Sequence, residues 1–146
     1  LGKIREMAER GAFGVVVAYA DLDHFKQIND RHGHSLGDEV LREFARQASS
    51  QLSGRDFCAR FGGEEFLLVL VKTDAPRARE VLEQVRQTLA HTRFEQAPGL
   101  RVTVSIGMAA CHAGEPLEDW LARADAALYQ AKGLGRNRLV AGEGDE

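Results

Sequence analysis

Residues 56–71, DFCARFGGEEFLLVLV, set a Gly-Gly pair between two apolar runs. That arrangement predicts a tight β-hairpin, with strands over about 56–61 and 65–71. Glu64 and Glu65 follow the glycines at once, and Glu65 already stands at the mouth of the second strand. Acids at a turn tip are ordinarily solvated. Paired carboxylates beside glycines that allow close backbone approach also suit a metal or phosphate site. The hairpin alone leaves both readings open.

Working outward, GVVVAYADL (14–22) predicts a strand buried on both faces, and DHFKQINDRHGH (23–34) a short helix that breaks near Gly33. SLGDEVLREFARQASSQL (35–52) predicts a long helix. Leu36, Val40, Phe44 and Ala48 form its apolar stripe, with Leu41, Ala45 and Leu52 beside it. DAPRAREVLEQVRQTLAH (74–91) is helical, with Asp74 and Pro76 as start signals. LRVTVSIGMAAC (100–111) alternates as a strand, and EPLEDWLARADAALYQAKG (115–133) is a helix closed by Gly133. Trp120 and Tyr129 sit at helix-core spacing and read as packing residues. NRLV (137–140) supplies a last short strand. At the ends, residues 1–12 read as a shortened helix ending at Gly11, and 142–146 as a frayed polar tail of one domain spanning 1–146.

The order β-α-α-β-β-α-β-α-β implies an α+β fold: a ferredoxin-like, palm-type sheet of about five strands with flanking helices. This layout places Asp21, at the end of the first strand, near Glu64 and Glu65. An acid at a strand end commonly holds Mg²⁺, which takes few protein carboxylates and leaves positions for phosphate and water. Asp23 is the better helix cap, so Asp21 is left needing a partner. Lys26 follows on the helix, where it can neutralise phosphate charge.

Composition narrows the classes. Hydrophobic residues make up 44% and charged residues 28% of 146, with a formal net charge of −3. These values suit one soluble domain and argue against a general nucleic-acid or membrane-surface binder. Cys58 and Cys111 each lie in an apolar strand pattern and read as buried thiols of a reducing compartment. HGH (32–34) lacks the further His or Cys that a zinc site needs.

Three separated motifs carry a family resemblance: DLDHFKQINDRHGHSLGDEVLREF, RFGGEEF and ADAALYQAKGLGRNR. Together they resemble the GGDEF domain of diguanylate cyclases, in its Glu-Glu signature form, over roughly residues 13–141. The resemblance implies a nucleotide-cyclase-like fold. It also implies condensation of two GTP into cyclic di-GMP and two pyrophosphates by a homodimer, each domain holding one GTP. It implies Mg²⁺, with Mn²⁺ as the alternative ion, on Asp21, the Leu22 carbonyl, Glu64 and Glu65. Glu64 is its candidate for activating the 3′-hydroxyl, Glu65 shares one of these tasks, and Lys26, Lys132 and Arg136 match its phosphate-binding positions. Gly62 and Gly63 let substrate approach. Asn29, His34 and Asp38 match the nucleotide-binding positions; Asn29 and Asp38 suit the hydrogen-bonding edge of guanine, and for His34 an ordinary turn histidine is nearly as good a reading. The implied setting is cytoplasmic, as the output end of a larger sensory protein, without nucleic-acid or membrane contact of its own. The alternative is a non-catalytic module that binds GTP or cyclic di-GMP as a signal.

Two departures stand out. The Asp-x-Leu-Thr-Gly-Leu-x-Asn-Arg stretch usual before the first long helix is absent. Many family members also carry an inhibitory product site, Arg-x-x-Asp, before the Gly-Gly. Asp56 is retained here, but Ser53 stands where arginine is expected, and Arg55 and Asp56 read as an ordinary polar loop. Weak or no product inhibition follows.

Overall fold

The computed structural model describes residues 2–9 and 14–146. Among the described residues five helices and five strands follow in the order α1 (Gly2–Glu9), β1 (Val16–Leu22), α2 (Phe25–His32), α3 (His34–Gln51), β2 (Phe57–Arg60), β3 (Glu65–Leu70), α4 (Ala75–Ala90), β4 (Val104–Ala110), α5 (Leu117–Gly133) and β5 (Leu139–Ala141). The expected end of α1 at Gly11 lies outside the described residues.

The strands form one sheet in the order β2-β3-β1-β4-β5. Central β1 is antiparallel to both β3 and β4, β2 is antiparallel to β3, and only β5 runs parallel to its neighbour β4. This is the α+β, ferredoxin-like arrangement with one added edge strand.

Alternation along the strands divides the core into two layers. Val16, Ala18, Ala20, Phe66, Leu68 and Ile106 face α2, α3 and α4, where Leu36, Val40, Phe44, Ala48, Leu82 and Val85 are buried against them. Phe44 meets Phe66 edge-to-face at 4.9 Å. On the other face Val17, Leu67, Val69 and Ala109 pack under α1 and α5, around Ile4, Trp120 and Ala124. Trp120 is fully buried, and its indole donates to the Ala109 carbonyl at 2.8 Å. Here α5 lies directly on the sheet: a Cβ at Gly107 would stand 2.1 Å from the Leu128 nitrogen. Only glycine allows that approach.

Three expectations fail. Tyr129 does not pack: it is 80% exposed, because the buried stripe of α5 runs through Trp120, Ala124, Ala127, Leu128 and Ala131, and Tyr129 falls one position past it. The C-terminal residues are not frayed. The Gly142 nitrogen donates to the Met108 carbonyl at 2.7 Å, and Asp145 accepts from Arg123 at 2.6 Å and from the Ala110 nitrogen at 3.0 Å. Cys58 is only half-buried, although burial still pushes its thiol up to about 11. Both cysteines are free. No helix among the described residues is long and apolar enough to cross a membrane.

Candidate active site

Central β1 ends at Asp21 and Leu22. In the strand register Asp21 stands opposite Glu65 of β3 and Ser105 of β4. The Leu22 nitrogen donates to the Glu64 carbonyl at 3.2 Å. The antiparallel pairing therefore brings the strand-end acid and the hairpin acids to one end of the sheet, as the sequence implies. Asp21 is only 7% exposed. A carboxylate so buried needs a counter-charge, and Lys132 supplies it from the end of α5, Nζ to Oδ2 at 2.6 Å.

The hairpin turn is held by a residue that sequence reading passed over. Arg60 donates from Nε to the Gly62 and Gly63 carbonyls, both at 3.1 Å, and from a terminal nitrogen to Gly63 at 2.7 Å. The Phe61 nitrogen closes the turn onto the Glu65 carbonyl at 2.7 Å. Neither glycine adopts a left-handed φ. A Cβ on Gly63 would meet nothing, and one on Gly62 would make ordinary contact with Glu65. The backbone of this turn thus does not itself demand glycine. An arginine placed just before a run of turn carbonyls was the available signal for Arg60.

Asp23 is not the helix cap. The capping position of α2 is His24, in a left-handed conformation with φ 57°, and it makes no side-chain cap. Asp23 is buried instead and accepts from Thr103 and Ser105, both at 2.7 Å, and from the Asn137 nitrogen at 3.0 Å. These partners lie 80 or more positions on in the chain, beyond any local pattern.

The residues expected on the nucleotide side lie on α2 and α3, joined at Gly33 with φ 87°. Asn29 presses on the first turn of α3: a Cβ on Gly37 would fall 1.9 Å from its Oδ1. That oxygen is buried and has no hydrogen-bond partner among the described residues. Asp38, next to Gly37, is exposed, as are His34 and Lys26. Arg136 sits in the turn after α5 with φ 64°, and its guanidinium makes no hydrogen bond or ion pair with a described residue. On the α5 face, Tyr19 and Phe61 meet edge-to-face at 5.8 Å. With Glu65, Leu121, Asp125 and Leu128 they line a cleft of about 330 Å³. Burial, Asp125 and Glu65 raise the Tyr19 phenol above its ordinary range, so it stays protonated.

No three His, Cys, Asp or Glu side chains among the described residues are gathered closely enough to hold a metal by themselves. The donor set at this end is one buried carboxylate, the hairpin carboxylates and a strand-end carbonyl. That is hard-oxygen chemistry of the kind Mg²⁺ accepts when phosphate and water complete its shell.

The model of the family described as diguanylate cyclase, GGDEF domain, matches residues 3–138. The chain belongs to this family. It is 40% identical over 146 residues to the response regulator PleD of Caulobacter vibrioides, covering 95% of this chain and 32% of that protein. The chain thus spans about a third of that relative's length. Among solved structures, it is similar to the active GGEEF domain of a diguanylate cyclase from Vibrio cholerae, with a TM-score of 0.89, 37% identity, and 97% and 93% of the two chains covered. It is also similar to the GGDEF domain of DgcB from Caulobacter crescentus in complex with c-di-GMP, with a TM-score of 0.86, 35% identity, and 95% and 84% covered. The GGDEF fold is therefore a nucleotide-cyclase-like sheet, as its motifs imply.

At the position of the product site, Asp56 is fully used by the backbone. Its Oδ2 accepts from the Ser53 nitrogen at 3.1 Å and its Oδ1 from the Val71 nitrogen at 2.8 Å.

Proposed function

We propose that this GGDEF domain condenses two GTP into cyclic di-GMP and two pyrophosphates as a homodimer in the cytoplasm. The observation that carries the reading is the strand register that sets Asp21 opposite Glu65 at the end of the sheet, with Lys132 on Asp21. Each 3′-hydroxyl attacks the α-phosphate of the opposite nucleotide. A new P–O bond forms, the bond to pyrophosphate breaks, and the hydroxyl proton leaves. Two domains are needed because each supplies one nucleotide.

Asp21, the Leu22 carbonyl, Glu64 and Glu65 would hold Mg²⁺ or Mn²⁺, which when bound spreads the charge of the transferring phosphate. Glu64 sits on the turn braced by Arg60 and draws the proton from the 3′-hydroxyl, directly or through water. Lys26 and Arg136, both without described partners, grip the outer phosphates, and Lys132 turns from Asp21 toward them. Gly62 and Gly63 carry no side chain where the nucleotide passes. Turned out from its seat against Gly37, Asn29 Oδ1 accepts from an N–H of guanine, and Asp38 accepts from the neighbouring donor. Adenine lacks this adjacent N1–H and N2–H donor pair, and an acceptor left unpaired costs about 1–3 kcal/mol, so guanine is favoured. His34 stands at the rim.

The test is pyrophosphate release from GTP with Mg²⁺, run beside Glu64→Gln. The variant should lose about a hundredfold or more in rate, the cost of one strong transition-state contact. Near-normal release from Glu64→Gln would reject the assignment.

A further inference from the structure

The turn after α5 combines three unusual conformations in a row: Gly135 at φ 119°, Arg136 at 64° and Asn137 at 48°. Non-glycine residues with such φ values are disfavoured, and two in succession persist only where surrounding contacts hold them. Two side chains from distant elements do so. Asp23, after β1, takes the Asn137 nitrogen on Oδ2 at 3.0 Å, and is itself fixed by Thr103, just before β4, and by Ser105 within it. Arg86, on α4, donates to Asn137 Oδ1 at 2.9 Å, while Glu83 holds the other side of its guanidinium at 2.9 and 3.0 Å. Arg86 is 17% exposed along its side chain, so its fork is held largely out of water. Below the turn, the Arg136 nitrogen donates to the Ala131 carbonyl at 2.9 Å. Asn137 is thus clamped from both sides, and the residue just before it is the unpartnered Arg136.

We propose that Asp23 and Arg86 are positioning residues: by clamping Asn137 they keep the left-handed turn that presents Arg136 to the nucleotide phosphates. The proposal rests on the reading of Arg136 as a phosphate grip. Neither clamp residue need touch substrate. Arg86 contacts the turn from 51 positions away in the chain, and both oxygens of Asp23 are occupied. A guanidinium grip on phosphate depends on orientation, because its strength lies in paired, directional hydrogen bonds. Loosening the turn should therefore weaken nucleotide binding without removing any binding group.

The experiment measures binding of 3′-deoxy-GTP with Mg²⁺, which lacks the attacking hydroxyl and cannot cyclise, to the unaltered chain, Arg136→Ala, Arg86→Gln, Asp23→Asn and the double variant Arg86→Gln/Arg136→Ala. Thermal midpoints are recorded for each. Arg136→Ala should weaken binding about tenfold, the loss of one charged hydrogen-bonding contact. Arg86→Gln should weaken it by a similar factor well below its thermal midpoint, and the double variant should bind no more weakly than Arg136→Ala alone. That non-additivity is the mark of a residue acting through another; a merely structural role would lower the midpoint and leave the two effects additive. Asp23→Asn repeats the test from the other side of the clamp, and Arg86→Gln stands alone if that variant fails to fold. If Arg136→Ala weakens binding while Arg86→Gln does not, or the two effects add, the clamp is overturned and the phosphate grip survives. If Arg136→Ala binds normally, both fall.

Discussion

Asp21 is the residue on which the site turns. It is buried at the end of β1, and its charge is balanced by Lys132 at 2.6 Å. Lys132→Met should cost about 1–2 kcal/mol of stability, less than for a fully enclosed pair because the lysine is partly exposed. Urea unfolding reads this directly, and an unchanged midpoint would show that Asp21 needs no partner. Base choice belongs to the same scale. Asp38→Ala should weaken GTP binding with little effect on ATP, so the ratio of the GTP to the ATP dissociation constant rises; an unchanged ratio removes Asp38 from base recognition. The meeting of Asp21 with the hairpin acids was legible because each lies in a short motif at a predicted element end. Asp23 was misjudged. Its position before a helix suggests a cap, but hydroxyls from β4 claim it, and those contacts exist only once the sheet has formed.

Helix α5 carries Lys132 and leads into the Arg136 turn, so its seat on the sheet governs the site. Gly107→Ala would drive a methyl into the Leu128 and Ala124 backbone, 2.1 and 2.4 Å away. The helix must shift, at about 3 kcal/mol, and activity should fall with stability although Gly107 touches no ligand. A normal thermal midpoint would contradict this packing. The far end of α5 is tied by Arg123, which bridges Glu115 and Asp145. The Arg123 hydrogen bonds, the largest influence, hold Glu115 below its ordinary range. Burial pushes Asp145 upward, but bonds from His112, Arg123 and the Ala110 nitrogen outweigh it and leave that carboxyl lowered too. Both folded values are depressed, so this stabilisation is present above the unfolded carboxylate range of about 4 and is lost as pH falls through the folded values. Arg123→Leu should cost about 2 kcal/mol at pH 7 and less at pH 3. Equal losses at both would refute the linkage. Helix existence was legible from periodicity, but one residue of phase separates Leu128 from Tyr129, and periodicity cannot resolve a single position at the edge of a stripe.

At the scale of the whole molecule, the element order and the Gly-Gly hairpin were enough to imply the sheet, because a hairpin between two β-α units leaves few ways to pair the strands. The Arg86 clamp and the anchored C-terminal residues were not legible, since each depends on contacts between segments far apart in sequence. The loop before β2 gives a further expectation. Asp56 spends both oxygens on backbone nitrogens and Ser53 offers no guanidinium, so cyclic di-GMP should inhibit weakly. Initial rates across a product titration test this, with Ser53→Arg as the partner variant, and strong inhibition of the unaltered chain would show that other residues build a product site.

The proposed catalysis between two domains is open to one direct measurement: chromatography of the nucleotides formed from GTP and Mg²⁺ over a range of chain concentrations. Cyclic di-GMP is expected, with product per protomer rising with concentration until the dimer saturates. Bound GTP that yields no cyclic product at any concentration would contradict it, and would make the domain a nucleotide receptor.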